Sequence, residues 1–353
     1  MTNALITPCQ LGDLTLKNRV VMAPMTRNRS EDDGSPNELM RDYYRQRASA
    51  GLIVAEGTWP VAAGQAYNRQ PGIETQAHIK GWRAVTDAVH QEGGKIVLQI
   101  MHAGRIGSHH IKGKDVAHVA PSAIAARGEV YTDSAGMQPF DAPTALSTEQ
   151  VWQVVEEHRQ AAINAKEAGF DGVELHCTSG YLPMQFLCSD SNQRTDEFGQ
   201  SVEGRAKFAA ECVRAMADVF GAGRVGLRMN PGNRFNDTKD AQPAQSHEAL
   251  LHAVADLDLA YLHMMKAPTD KIDAFAMGKT AFKGPLIIND GFGVESAEQA
   301  VTTGLGDAVS FARHYVANPD FVERIESGAE LAKFDRNTLY TPGAAGYTDY
   351  PVA

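Results

Sequence analysis

His176, Ser179 and Tyr181 fall within six positions of one another, directly after the apolar run Gly172-Val173-Glu174-Leu175. An imidazole and a hydroxyl converging on one point can donate to a developing oxyanion. A tyrosine, with an ordinary pKa near ~10, can hand over a proton and still be neutral at rest. A lone histidine at the end of a strand is ordinarily a hydrogen-bonded bystander, and Ser179 and Tyr181 beside it reverse that reading. As a nucleophilic triad the set is poor. Ser179 lacks the glycines of a nucleophile elbow, and no acid is evidently placed behind His176.

These groups need a frame that delivers them together. A short apolar run ending in a polar residue reads as a buried parallel strand, and in α/β barrels chemistry collects past the carboxyl ends of such strands. The sequence holds eight runs of this kind: Arg19–Pro24, Leu52–Gly57, Lys95–Ile100, Gly172–His176, Val225–Met229, Leu259–Met264, Pro285–Ile288 and Asp307–Phe311. Amphipathic stretches separate several of them. Thr148–Ala168 has Ser147 as its N-cap and Glu149–Gln150 in its first turn, and Val202–Val219 and Ala297–Thr302 are further helical patterns. Strand and helix alternating eight times implies an α/β fold, a (β/α)₈ TIM barrel. A doubly wound open sheet is the alternative. It would carry a glycine-rich fingerprint after its first strand, and Ala23-Pro24-Met25-Thr26-Arg27 has no glycine.

Three excursions interrupt the pattern. Ser30–Leu39 reads as a polar loop. Ile106–Thr144 is too long for a plain connector and is expected to cover the barrel mouth after strand three. The tail Asn337–Ala353, with Tyr340, Tyr347 and Tyr350 among Gly and Pro, should pack as an irregular extension.

Reading the residue past each strand gives Pro24-Met25-Thr26, Gly57, Gln99 with Met101 and His102, His176, Arg228, Asn289-Asp290-Gly291 and Ala312-Arg313. Polar, charged or glycine residues at seven of eight ends amount to a site. The last two entries suit a phosphate, because Gly291 permits close backbone approach and Arg313 offers a bidentate fork; a turn and a salt bridge are the plainer alternatives. Arg228 reads either as half of a structural ion pair or as a buried cation that needs an anion from a ligand. Gln99 is either a satisfied core amide or one able to pair with a polar ring. His102, His109, His110 and His118 match no common metal spacing, so no metal is expected. There is no GxGxxG and no GxxxxGK[ST].

Composition bounds the rest. The 353 residues suit one large barrel, and 43% apolar content is ample for its core. No apolar run approaches the ~18 residues a membrane span needs, and Met1–Gln10 lacks the features of a secretory signal. A net charge of −10 argues against general nucleic-acid binding. Cys9, Cys177, Cys188 and Cys212 show no CxxC spacing and read as free thiols of a cytoplasmic protein.

The segments LKNRVVMAPMTRNRS, AEGTWP, QIMHAGR, the stretch from His176 through SNQRTDEFG, RMNPG, FARHYVANPDFVERI and LYTPGAAGYTDYP together resemble the Old Yellow Enzyme family of FMN-dependent ene-reductases. The likeness covers nearly the whole chain and favours the branch with Thr after Pro-Met over the thermophilic one. It implies one FMN-binding TIM-barrel domain over residues 1–353, a monomer or homodimer. By that resemblance Pro24, Met25 and Thr26 lie beside the flavin, Thr26 at O4. Gly57 approaches the pyrimidine, Gln99 bonds it, and Arg228 sits at N1/O2. Asp290-Gly291 and Ala312-Arg313 hold the phosphate. His176 and Ser179 grip the substrate oxygen and Tyr181 donates the proton. Tyr67 and Tyr340 wall the pocket, and Met101 stands where a large aromatic is often found. Three positions depart from the family: Ser179 replaces His or Asn, and Asp290 and Ala312 each replace a glycine.

The implied reaction takes hydride from NAD(P)H onto non-covalently held FMN and passes it to an activated alkene or nitro compound, by a ping-pong course. A flavin-dependent dehydrogenase, isomerase or nitro-compound and nitrate-ester reductase stays open. So does a non-flavin barrel enzyme acting on a phosphorylated metabolite.

Overall fold

The computed structural model describes residues 3–353. Eight strands, β1 (Val20–Met22), β2 (Leu52–Thr58), β3 (Ile96–Ile100), β4 (Gly172–Cys177), β5 (Val225–Met229), β6 (Tyr261–Met265), β7 (Leu286–Asn289) and β8 (Ala308–Phe311), pair in sequence order into a closed barrel. Every pairing is parallel, and the ring is completed where Val309 of β8 meets Val20 of β1. Strands β2 and β4 are buried along their whole length. That is why their sequences run apolar rather than alternating: both faces of such a strand are covered.

Each strand is followed by a helix, namely α1 (Glu38–Arg45), α2 (Gln76–Gln91), α3 (Thr148–Glu167), α4 (Val202–Phe220), α5 (Pro243–Ala253), α6 (Ala274–Ala281), α7 (Val294–Thr302) and the short α8 (Arg313–Ala317). Ser147 caps α3 as its sequence indicates. Its side chain accepts from Gln150 N, and Gln150 returns a bond to the Ser147 backbone.

Element limits shift by a few residues from the expected ones. β1 is shorter, because Pro24 has no N–H to continue the ladder. β6 starts at Tyr261 rather than Leu259, and β7 runs on to Asn289. The polar loop yields to α1 two residues early, where the Asn37 side chain accepts from Met40 N. α7 begins at Val294, three residues before the expected start, with Ser296 Oγ accepting from Gly293 N. Within β2 the register shifts between Ala55 and Thr58. Gly57 lies at that irregularity, a frequent place for glycine in a strand.

The antiparallel hairpin Cys9–Leu11 and Leu14–Leu16 packs Leu11, Leu14 and Leu16 against Val21, Leu52, Val97 and Ile287, closing the amino end of the barrel. The opposite end stays open for a site. The excursion after β3 carries a second hairpin, Glu129–Thr132 with Gly136–Pro139, over that open end. Arg127 with Asp237 at 2.7 Å, and Arg69 with Asp133, hold the excursion to its neighbours.

The tail is irregular apart from the turn Arg336–Thr338, and it is firmly anchored. Tyr347 is fully buried and stacks on Tyr43 at 4.0 Å. Arg27 and Arg29 are buried and donate to the carbonyls of Gly346 at 2.8 Å and Thr338 at 2.7 Å. Buried guanidinium groups satisfied in this way fix the chain around Tyr340. Cys177, Cys188 and Cys212 are buried and Cys9 is half-buried, all as free thiols. Among the described residues no helix is long and apolar enough to cross a membrane.

Candidate active site

Five strands, β3, β4, β5, β7 and β8, send the polar side chains of Gln99, His176, Arg228, Asn289 and Ser310 into the open end of the barrel. Gln99 on β3 stands in register with Glu174 on β4, and Arg228 on β5 is in register with His176 on β4 and His263 on β6. Gln99 Nε2 donates to Glu174 Oε1 at 2.8 Å, and His263 Nδ1 lies 2.8 Å from Glu174 Oε2. Arg228 donates through Nη1 to His263 Nε2 at 2.7 Å and through Nη2 to Asn289 Oδ1 at 2.8 Å. A floor of buried, mutually satisfied charges results.

Above it lies a cavity of about 670 Å³, bounded by Pro24, Met25 and Thr26 on one side and His176, Ser179 and Tyr181 on the other. Burial first, and Arg228 next, push the His176 imidazole down to about 3, so it is neutral. Its Nδ1 has no hydrogen-bond partner among the described residues. Burial, reinforced by Tyr67, holds the Tyr181 hydroxyl well above the usual range, and Tyr67 Oη lies 2.8 Å away. Met101 is buried against Tyr181, Ala66 and Ile106, and Tyr340 is half exposed at the mouth. Gly57 lies one layer back. A Cβ added there would meet Met101 Sδ at 2.6 Å and Gln99 Oε1 at 3.5 Å.

Ser179 adopts φ +57°, a left-handed conformation costly for serine and more tolerable for asparagine. Asn236 Nδ2 donates to the Ser179 carbonyl at 2.9 Å and pins this turn.

A second cavity of about 700 Å³ shares Arg228 and Met265 with the first. It is bounded by Asp290-Gly291 after β7, Ala312-Arg313 after β8, and Lys333 and Arg336 from the tail. A Cβ built on Gly291 or Gly293 meets nothing within 4 Å, so the backbone there is open to a ligand. Asp290 takes φ +80° and its carboxylate is 4.0 Å from Arg313. The two cavities meet at Arg228 and Met265, one lined by Arg313, Lys333 and Arg336 and the other by His176, Ser179 and Tyr181.

The sequence profile of the NADH:flavin oxidoreductase / NADH oxidase family matches residues 4–332. The chain belongs to this family. Within it, the chain is 39% identical, over 99% of its length and 97% of the relative's, to a probable flavin mononucleotide-dependent alkene reductase of Leishmania infantum. It is 36% identical to 12-oxophytodienoate reductase 2 of Arabidopsis thaliana, over 98% and 95% of the two chains. Morphinone reductase in complex with tetrahydroNAD superposes with a TM-score of 0.95 at 41% identity, covering 100% of this chain and 98% of that one. The Old Yellow Enzyme homologue from Zymomonas mobilis gives 0.95 at 36%, covering 99% and 100%. The Old Yellow Enzyme resemblance and the barrel fold are thus established.

Several residues in or beneath the cavities carry no strand-end signal in the sequence. Glu174 and His263 sit inside apolar runs, where strand-end reading does not look. Asn236, Lys333 and Arg336 come from loops whose approach to the cavities has no local signature. Of the four histidines weighed for metal, His109 pairs with Asp141 at 3.0 Å and His102 stacks near His158.

Proposed function

We propose that the protein uses NAD(P)H and non-covalently bound FMN to reduce the C=C bond of activated alkenes, α,β-unsaturated carbonyl or nitro compounds. The observation that carries this reading is the junction of the two cavities at Arg228 and Met265. It provides one continuous seat for a ring with a phosphate-bearing tail, directly beneath His176, Ser179 and Tyr181. The residues present fit FMN. Gly291 and Gly293 leave room where a Cβ would stand, Arg313 would supply a fork for phosphate, and Arg228 is a buried cation that would favour negative charge arriving on the ring on reduction. Pro24, Met25, Thr26 and Gln99 line the cavity and would hold the ring. Gly57, behind Met101 and Gln99, leaves both side chains room to reach the cavity, and Ala312 lines the phosphate end.

FMN, when bound, supplies hydride transfer from NAD(P)H to the alkene β-carbon. The chain's own groups do the rest. His176, neutral, and the Ser179 hydroxyl donate to the carbonyl or nitro oxygen as charge develops there. Tyr181 holds its proton at rest and releases it toward the α-carbon. Tyr67 orients that hydroxyl, and Tyr340 with Met101 shapes the apolar walls. One cavity serves both nicotinamide and alkene, so the two bind in turn.

Steady-state kinetics with cyclohexenone and each nicotinamide test this. Parallel double-reciprocal lines and a product heavier by two hydrogens are expected. Intersecting lines, or an unreduced product, would refute the shared-site reading.

A further inference from the structure

Below the reacting face the barrel encloses a cation and an anion that do not touch each other. The side chains of Glu174 and His263 are fully buried, and Arg228 is 5% exposed. The hydrogen bonds between them have a forced direction. Arg228 Nη1 lies 2.7 Å from His263 Nε2 and 3.1 Å from Nδ1, and a guanidinium only donates, so the nearer nitrogen, Nε2, is its acceptor. Nδ1 then carries the proton, and Glu174 Oε2, 2.8 Å away, must accept it. Ser310 Oγ at 2.7 Å from Nε2 closes the set around the ring.

Electrostatics agree with that assignment. Burial, with Arg228 next, lowers the His263 imidazole to about 4 and keeps it neutral. Burial alone would raise the Glu174 carboxyl, but His263, Arg228 and Gln99 outweigh it and hold it below the usual carboxylate range. Glu174 is therefore an anion, joined to Arg228 through a neutral imidazole. It also ties down Gln99 Nε2 at 2.8 Å, which leaves Gln99 Oε1 as the acceptor toward the cavity.

We propose that Glu174 is a positioning residue that sets the reduction potential of the bound cofactor, by partly cancelling the charge of Arg228 and fixing the Gln99 amide. The inference rests on the FMN reading above. An uncompensated Arg228 would favour charge arriving on the ring and hold electrons there against transfer to a weak acceptor. A carboxylate behind it, in an interior where charges act more strongly than in water, moderates that pull. The site can then be reduced by a nicotinamide and still discharged by an alkene.

Redox titration of the purified holoenzymes against reference dyes, followed by flavin absorbance, tests the assignment in the parent, E174Q and E174D. E174Q removes the charge and also presents N–H toward His263 Nδ1–H. Its cofactor should be reduced at least tenfold more readily, about 30 mV more positive for a two-electron couple. E174D keeps the charge and should stay within threefold of the parent. An E174Q holoenzyme at the parent potential, or an E174D shift as large as that of E174Q, would overturn the proposal. Should E174Q not fold, redox-difference infrared spectra of the unsubstituted enzyme decide. Glu174 should be a carboxylate in both oxidation states, and a protonated-carboxyl stretch that appears or vanishes on reduction of the flavin would overturn it. Absence of flavin from the parent would instead sink the functional reading itself.

Discussion

The hydroxyls of Tyr67 and Tyr181 meet at 2.8 Å inside the cavity, although 114 residues separate them in the chain. Tyr67 approaches from the loop after β2, and Tyr181 from the turn after β4. Their contact orients the hydroxyl proposed as the proton donor. Tyr181→Phe should slow reoxidation of the reduced flavin by an enone 10²–10⁴-fold, in the range typical of general acid catalysis at about two to four decades. Reduction by NAD(P)H should be nearly unaffected. Tyr67→Phe, which keeps the acid and removes its partner, should cost about tenfold or less in the same step. Stopped-flow measurement of the two half-reactions checks both, and equal losses in each half would mean disturbed packing.

Ser179 carries a left-handed backbone and a short donor at once. Ser179→Asn suits φ +57° better and extends the reach of the donor toward the substrate oxygen. Losing one oxyanion donor costs on the order of 10²–10³ in rate, so bringing a short donor into better reach should raise single-turnover reduction of cyclohexenone by about tenfold or more. Ser179→His should act in the same direction. Rates no higher than the parent's in both variants would show that the pocket is shaped elsewhere.

The proposed phosphate end carries a handicap. Asp290 brings a negative charge and φ +80° to a loop open toward the second cavity, and Arg313 lies 4.0 Å from it. Arg313→Ala should weaken FMN retention roughly tenfold, a charge-assisted contact discounted for its exposed position. Asp290→Gly should tighten it by removing both repulsion and strain. Equilibrium dialysis of FMN with the apoproteins measures each, and opposite signs for the two substitutions are the expected outcome.

Acid should destabilise the protein before its surface carboxylates are neutralised. His158 and His263 are lowered to about 4, and His176 to about 3, in each case chiefly by burial. The unfolded chain binds protons at these positions near 6.5 and the folded chain does not. Their contribution to stability is full above that value and is lost as pH falls through 6.5 toward 4. Glu56 and Glu157, raised to about 7 by burial, act in the opposite sense but are fewer. Thermal unfolding should therefore show Tm falling from pH 7 toward pH 4, and a flat or rising Tm would contradict the neutral assignment.

How much of this was legible in the sequence depends on how far apart the partners lie. His176, Ser179 and Tyr181 lie within six positions of one another, at the end of β4 and in the turn after it, so their order alone exposed them. The eight strands were legible because burial on both faces leaves unbroken apolar runs. Glu174 and His263 look like flaws in such runs, since their bond spans 89 residues and forms only when the barrel closes. The left-handed turns at Ser179 and Asp290 were equally hidden, because neither residue type announces a positive φ.

The most direct test of the central claim is an anaerobic titration of the purified protein, followed by its visible spectrum. The account predicts FMN absorbance, its bleaching by NADH or NADPH, and its full return when cyclohexenone is added without oxygen. A colourless protein, or a bleached flavin that an enone leaves bleached, would contradict it.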